Sequence, residues 1–322
     1  MRTGTSGRGS RRQLAVLWLA LSLVVIGCAT TPKPTEDKPA TEDIPSQVQS
    51  GLLQGDQAYR RGDTERALLH YVTALNLEPD NTDLLYRVGM IHSETGNLDA
   101  AEQAFRSILQ TSPEHAAGLE GYGLVLLRQR KYDSAKQALQ QAVRLERGRW
   151  RAQNGMGIIS DIDNDHSLAI NYYQLALEQR PGMPMVLNNL GYSYYLAGDW
   201  DAAEEAFRQA VNSDPKHQKA WSNLGMLYTR KGNYDQAMQA FLRFQSKPEA
   251  YNSMGYICML EGKFSRAEAF FLDAIRLSPS HFQAAQENLA RARAGHASKI
   301  DSKTPDAYGL EVDSPASSKG LP

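Results

Sequence analysis

The chain has 322 residues, 42% hydrophobic and 22% charged, which is ordinary globular composition and excludes a fibrous or wholly disordered protein. Its formal charge is −1, so no basic excess points to nucleic acid.

Residues 1–27 read as a targeting segment. Arg2, Arg8, Arg11 and Arg12 form a basic start without an acid, and Leu14–Gly27, LAVLWLALSLVVIG, is an apolar run. That run is short for a membrane span, which needs about 20 residues, and suits a signal peptide. It stops at Val25-Ile26-Gly27-Cys28, which resembles the bacterial lipobox. The resemblance implies that Cys28 becomes the acylated first residue of the mature chain. An ordinary secretory signal, or an uncleaved anchor with an incidental cysteine, are the other readings. Cleavage before Cys28 would remove four arginines and no acid, taking the formal charge from −1 to −5. Two or more acyl chains hold a protein stably on a membrane, and lipoproteins of this kind carry palmitate among theirs. Ala29 follows the cysteine where an aspartate would imply inner-membrane retention. By analogy the expected location is the outer membrane, facing the periplasm of a Gram-negative cell.

Residues 28–47 read as the lipidated cysteine and a tether. Ala29–Ser46 holds four prolines and no apolar period. In extended form it would reach on the order of 50 Å at ~3.1 Å per residue.

From residue 48 the chain repeats. Gly55, Gly89, Gly123, Gly157, Gly191 and Gly225 are spaced by 34 residues, and Gly255 follows after 30. Twelve residues after each glycine stands an alanine: Ala67, Ala101, Ala135, Ala169, Ala203, Ala237 and Ala267. Four further on stands a large apolar residue: Tyr71, Phe105, Leu139, Tyr173, Phe207, Phe241 or Phe271. The stretch Pro184–Pro215 shows the unit best. It predicts a helix over Pro184–Leu196, a turn at Ala197-Gly198-Asp199 and a second helix over Asp199–Asn212. A glycine inside a helix costs about 1 kcal/mol relative to alanine, so each needs a reason. Close contact with a small residue of the partner helix is the expected one.

This spacing resembles the tetratricopeptide repeat. The resemblance covers Val48–Pro279 and implies an all-α solenoid of about seven helix pairs. Phe282–Ala294 is the expected C-terminal capping helix, which such an array needs, so the array spans 48–294. Unit three has Arg130 where a turn glycine is expected. Unit six is four residues short, which predicts a shortened second helix and a local change in curvature. Residues 295–322 are polar and aperiodic, the composition of a solvated tail, with a docking peptide as the alternative.

No catalytic constellation stands out, and no enzyme activity or cofactor is expected. There is no HExxH pair and no cysteine cluster with metal-ligand spacing. Asp161, Asp163 and Asp165 alternate as in an acidic calcium loop, but the glycine and closing glutamate of that loop are missing. Gly121-Tyr122-Gly123 and Gly155-Met156-Gly157 fall within predicted helices, which rules out a phosphate cradle. Cys258 falls on the packing face of unit seven and reads as a small buried hydrophobe. No small-molecule substrate is expected.

The expected function lies on a second stripe of the first helices. It comprises Met90, Leu124, Ile158, Tyr192, Met226 and Tyr256 just after each glycine. Ser93, Leu127, Asp161, Tyr195, Thr229 and Met259 come four after, and Asn154, Asn188 and Asn252 three before. In tetratricopeptide arrays this stripe lines a concave groove for peptides or partner helices. The expected site is therefore Met90, Leu124, Asn154, Ile158, Asn188, Asn189, Tyr192, Tyr195, Asn223, Met226, Asn252 and Tyr256. The asparagines would bond a ligand backbone, and the tyrosines would act as hot spots. Half-burial by the neighbouring unit is the alternative for the same row. Lys219, Asn189 and Asn223 are too few to form the family's clamp for a C-terminal carboxylate. With the lipobox, tether and array together, the chain resembles the lipoproteins of tight-adherence (Tad/Flp) pilus assembly of the TadD type. That resemblance implies pilus secretion components as protein partners. Pilotins of type IV pili, and adaptors of peptidoglycan enzymes or periplasmic proteases, are the alternatives.

Overall fold

The computed structural model describes residues 43–294. The expected signal peptide (1–27), Cys28 and the tail (295–322) lie outside the described residues. So does the tether up to residue 42. Fifteen α-helices and no strand occur among the described residues.

They run as seven antiparallel pairs. The first three are α1 (Ile44–Arg60) with α2 (Thr64–Leu75), α3 (Thr82–Glu94) with α4 (Leu98–Thr111), and α5 (Ala116–Arg128) with α6 (Tyr132–Leu145). Next come α7 (Trp150–Ile162) with α8 (His166–Gln179), and α9 (Pro184–Ala197) with α10 (Trp200–Ser213). The last are α11 (Gln218–Lys231) with α12 (Tyr234–Phe241), and α13 (Lys247–Leu260) with α14 (Phe264–Leu277). A lone helix, α15 (Gln283–Arg293), closes the array. The first helix starts at Ile44, inside the span expected to be tether. Pro45 falls in its opening turn, where a proline's fixed φ and missing N–H are tolerated.

The helix starts follow from short polar side chains. Asp63, Asn81, Asp165 and Asp199 each accept a backbone N–H of the helix that follows. His115 and His217 do the same through Nδ1. The turns inside the pairs need one residue at positive φ. Glycine supplies it at Gly62, Gly96, Gly198, Gly232 and Gly262, with φ between 71° and 84°. Unit four uses Asn164 at 62°, and unit three uses Arg130 at 61°. Asparagine tolerates that conformation, whereas arginine's Cβ is crowded there. We expect Arg130→Gly to raise stability by about 0.5–1 kcal/mol, read as a higher urea midpoint; a lower midpoint would refute this account of the turn.

The core repeats with the sequence. All seven alanines of the register are fully buried, as are the large apolar residues four further on, Phe241 alone retaining 4% exposure. The glycines do not face a small residue, as expected, but the large one. A Cβ on Gly191 would lie 2.6 Å from the Phe207 ring, one on Gly157 2.5 Å from Tyr173, and one on Gly255 2.7 Å from Phe271. Each first helix thus carries a notch, and each second helix fills it with a ring or a leucine. Gly121 and Gly155 form a second notch two residues earlier. A Cβ there would meet Phe105 at 2.4 Å and Leu139 at 2.8 Å, the filling residues of the preceding units. Those Gly-x-Gly pairs let one helix seat against two units at once.

Unit six keeps the notch, with Gly225 against Phe241, but its second helix is shortened as expected. Its second helix has 8 residues, against 12 in α2 and 14 in α14. Cys258 is fully buried, and burial pushes its thiol above the usual range. At the end of the array α15 buries Ala285, Leu289 and Ala292 and turns Gln286, Glu287 and Arg291 to solvent.

Candidate functional site

The expected groove stripe divides into a closed part and an open part. Met90, Leu124, Ile158 and Tyr192 are buried, each at 9% exposure or less. So are Ser93, Leu127, Asp161, Thr229 and Met259 four residues after the glycines. Over units two to four the row is packing between neighbouring units, not a binding surface. Tyr195, Met226, Asn252 and Tyr256 remain half-exposed, and they come from units five to seven.

Four of the five asparagines expected to face a ligand are interior instead. Asn154, Asn188, Asn189 and Asn223 are buried at 1% exposure or less. They pair with one another across units. Asn189 Nδ2 donates to Asn154 Oδ1 at 3.1 Å, and Asn223 Nδ2 donates to Asn188 Oδ1 at 2.8 Å. Asn288 of the capping helix continues the series by donating to Asn252 Oδ1 at 3.2 Å. A buried amide must find partners, and successive first helices find them in each other. Two atoms are left over: Asn154 Nδ2 and Asn223 Oδ1 have no partner.

Asn223 borders a cavity of about 340 Å³ on this face. Tyr192, Met226, Asn252 and Tyr256 line it, together with Phe241 and Gln245. Phe241 ends the shortened α12, and Gln245 sits in the turn that replaces the missing helix. Gln245 Oε1 accepts the Ser253 hydroxyl at 3.1 Å, holding that turn against α13. The cavity therefore exists where unit six loses four residues. Its lining is aromatic, aliphatic, thioether, hydroxyl and amide, without a charged side chain. Such a surface receives apolar side chains and backbone amides rather than ions. Sequence reasoning missed Gln245, Phe241 and Asn288. The 30-residue interval after Gly225 was the signal that could have located them.

Arg230 braces the open part. Its guanidinium lies 5.0 Å from the Tyr195 ring centre and 5.4 Å from that of Trp200, and its Nε reaches Glu261 Oε1 at 2.7 Å. One side chain of unit six thus spans units five and seven.

Asp161 is an interior hub, not a calcium ligand. Tyr173 Oη donates to its Oδ2 at 2.9 Å, Ser193 Oγ to its Oδ1 at 2.9 Å, and His166 Nδ1 lies 2.8 Å from the same Oδ1. Burial pushes the Asp161 carboxyl up, against the hydrogen bonds from His166, Ser193 and Tyr173 that favour its ionised form. Asp163 pairs with Lys136 at 2.8 Å, and Asp165 caps α8. The three aspartates so do three separate structural jobs. Among the described residues no group of His, Cys, Asp or Glu is arranged to hold a metal ion, and no helix is long and apolar enough to cross a membrane.

Comparison with known proteins agrees with this architecture. One tetratricopeptide-repeat family model matches residues 52–116, 123–184 and 188–250, and another matches 248–281. No curated protein matches the sequence. Among solved structures, a tetratricopeptide repeat protein from Parabacteroides merdae is 17% identical over 77% of this chain and 99% of its own, with a TM-score of 0.53. PilF of Pseudomonas aeruginosa is 18% identical over 77% and 99%, with a TM-score of 0.54. A chain of the Cut9–Hcn1 hetero-tetramer of APC/C is 20% identical over 79% of this chain and 50% of its own, with a TM-score of 0.56. At these identities the likeness is one of fold.

Proposed function

We propose, from the premise that this chain belongs to the tetratricopeptide-repeat family, that it is a non-catalytic scaffold of the bacterial outer membrane which captures a partner protein in the open groove of units five to seven. The repeats make it a protein-interaction scaffold. The observation that carries the site is the uncharged cavity between Met226 and Tyr256, opened by the shortened α12. A closed solenoid would need no half-exposed aromatic and thioether side chains there. They suit the side chains of a peptide laid along the groove.

The finer reading is assembly of the tight-adherence pilus secretion apparatus. Its support lies in the sequence: the lipobox ending at Cys28, the proline-rich run after it, and an array of seven units. The likeness to PilF adds the fold alone. The membrane anchor is part of the proposal. Cys28→Ala is expected to release the protein from the outer-membrane fraction; unchanged fractionation on a density gradient would remove the lipid anchor.

The site is tested by capture from envelope extracts with the full-length chain, followed by mass spectrometry. Tyr195→Ala/Met226→Ala/Tyr256→Ala is the variant to compare, because these residues are half-exposed; they also pack against the core, so the variant's fold is checked by circular dichroism first. Truncating a groove hot spot costs about 2 kcal/mol or more, so retention should fall roughly 30-fold. A pilus secretin or Tad component lost in this way supports the assembly reading. A cell-wall hydrolase or protease in its place turns the reading to an adaptor. Equal retention by wild type and variant places the binding surface elsewhere.

A further inference from the structure

We propose that this chain binds a second copy of itself head to tail, the turn after α12 on one copy meeting the end of α2 on the other. The inference goes beyond the groove function and does not use the cavity.

Phe244 gives the first sign. Seven residues after the register alanine the other units carry Ala74, Ile108, Ala142, Ala176, Ala210 or Ala274, each at 2% exposure or less. Unit six carries Phe244 there, and it is 42% exposed. The cause is the end of α12 at Phe241, which releases the next residues from the packing face. Leu242 beside it is 45% exposed. Units two to five hold Arg106, Gln140, Gln174 and Arg208 at that position. The turn therefore has two faces. Phe241 and Gln245 line the cavity, while Leu242 and Phe244 are turned to solvent.

Cations surround the solvent face. Arg243 lies between the two apolar residues, its guanidinium 4.8 Å from the Trp221 ring centre. Trp221 Nε1 donates to the Pro215 carbonyl at 3.0 Å, which brings Lys216 to the same place. Lys247 opens α13 three residues after Phe244. Lys216, Arg243 and Lys247 are exposed, and among the described residues none of them is in an ion pair. The acids of these loops are engaged by backbone donors. Asp214 Oδ1 accepts the Lys216 N–H at 2.9 Å, and Glu249 Oε2 accepts the Ser246 N–H at 2.7 Å. At the opposite edge the lysines Lys131, Lys136, Lys231 and Lys263 each hold a carboxylate.

The end of α2 is the complement. It exposes Leu69, Val72 and Leu77, and the loop after it carries Glu78 and Asp80, followed by Asp83, without a base. Asp80 and Asp83 are exposed and in no ion pair among the described residues. The next loop on this edge adds Glu114 and again no lysine or arginine. Apolar side chains can thus meet apolar ones while acids face bases. Such charges select the partner and speed its arrival. The two patches do not meet within one copy, because α2 packs on α1 and α3, and α12 on α11 and α13. A second copy brings them together. The contact uses a different surface on each copy, so it leaves one patch of each kind free for further copies. It is small, hence transient, and dilute unfolding experiments see the single chain.

The test is sedimentation equilibrium of the full chain in density-matched detergent, over about a hundredfold range of concentration. The average mass is expected to rise beyond the dimer with concentration and to fall back in high salt. Arg243→Glu/Lys247→Glu makes both patches acidic, and Asp80→Lys/Asp83→Lys makes both basic. Each variant alone is expected to associate at least about tenfold more weakly, and an equimolar mixture of the two to recover association. Phe244→Ser should weaken it about tenfold without a change of charge. Leu242→Ser serves the same purpose should Phe244→Ser fail to fold by circular dichroism. A single mass at every concentration overturns the proposal. So does association that survives both charge reversals, or a mixture of the two folded variants that stays monomeric. A monomer that instead sediments with phosphatidylglycerol vesicles through Phe244 overturns it too, since the turn would then meet lipid. Partner capture through Tyr195, Met226 and Tyr256 is measured separately, so either reading can fail without the other.

Discussion

Asp161→Ala is expected to cost about 3–5 kcal/mol and to split thermal unfolding into two transitions. The carboxylate accepts from Tyr173 on α8 and from Ser193 on α9, with His166 at the start of α8 beside it. It therefore ties both helices of unit four to the first helix of unit five. Tyr173 and Ser193 are fully buried; truncation strands the Tyr173 hydroxyl, at about 1–3 kcal/mol, and leaves Ser193 only the longer contact to the His166 carbonyl at 3.3 Å. In a solenoid each unit touches only its neighbours, so cooperativity passes through every boundary in turn. A boundary weakened this far should let units one to four and five to seven melt apart. Calorimetry checks this: one transition displaced by less than about 1 kcal/mol would mean that the hub does not couple the halves.

The same carboxyl should leave a pH signature. Burial raises its pKa above the ordinary 3.8. A raised carboxyl pKa means that the folded chain binds the proton more tightly than the unfolded one. The stabilising contribution is thus complete below the unfolded pKa and is lost as pH rises through the folded value. Asp161→Asn does not titrate. The stability difference between wild type and this variant should shift in the variant's favour as pH rises above 3.8; a parallel pH dependence would contradict the raised pKa.

Phe207→Ala should cost a comparable amount, about 3–5 kcal/mol. Its ring is fully buried in the notch at Gly191, between Ala203 and Ala210 on its own helix, which are also fully buried. Leu69→Ala is the comparison, because Leu69 is 64% exposed and such surface changes stay within about 0.5 kcal/mol. The notch itself can be tested by coupling. Gly191→Ala alone drives a methyl into the ring, while Phe207→Leu alone leaves a void. Together they should cost less than their sum by about 0.5–3 kcal/mol. Additive costs in urea melts would show that notch and ring do not meet.

The fold was legible because seven copies of one register are hard to read any other way. Glycine, alanine and the large apolar residue each recur at fixed offsets, and each proved to be a packing position. What the glycine packs against was not legible. Spacing places it on a face but does not say whether an alanine or a ring lies opposite, and the ring does. Of the candidate site, only the outer part is open in the structure. Tyr192 and Tyr195 read alike in sequence, yet one is 5% exposed and the other half-exposed, since burial depends on the next unit. The asparagines misled for a related reason. An amide on a groove stripe suits a ligand backbone and equally suits another amide one unit away. Asn188 and Asn223 took the second option.

The short interval between Gly225 and Gly255 also bears on how such a gene can change. Units of equal length can recombine in frame, because an exchange of 34 residues returns every notch to its ring. Lengthening the array by such a duplication would move the open cavity along the molecule and leave it intact. Exchange at unit six is different. Four restored residues add about one helical turn to α12, and the space walled by Phe241 and Gln245 would be filled. Heredity can therefore multiply this protein's plain units freely, but it can keep the cavity only by keeping a gap.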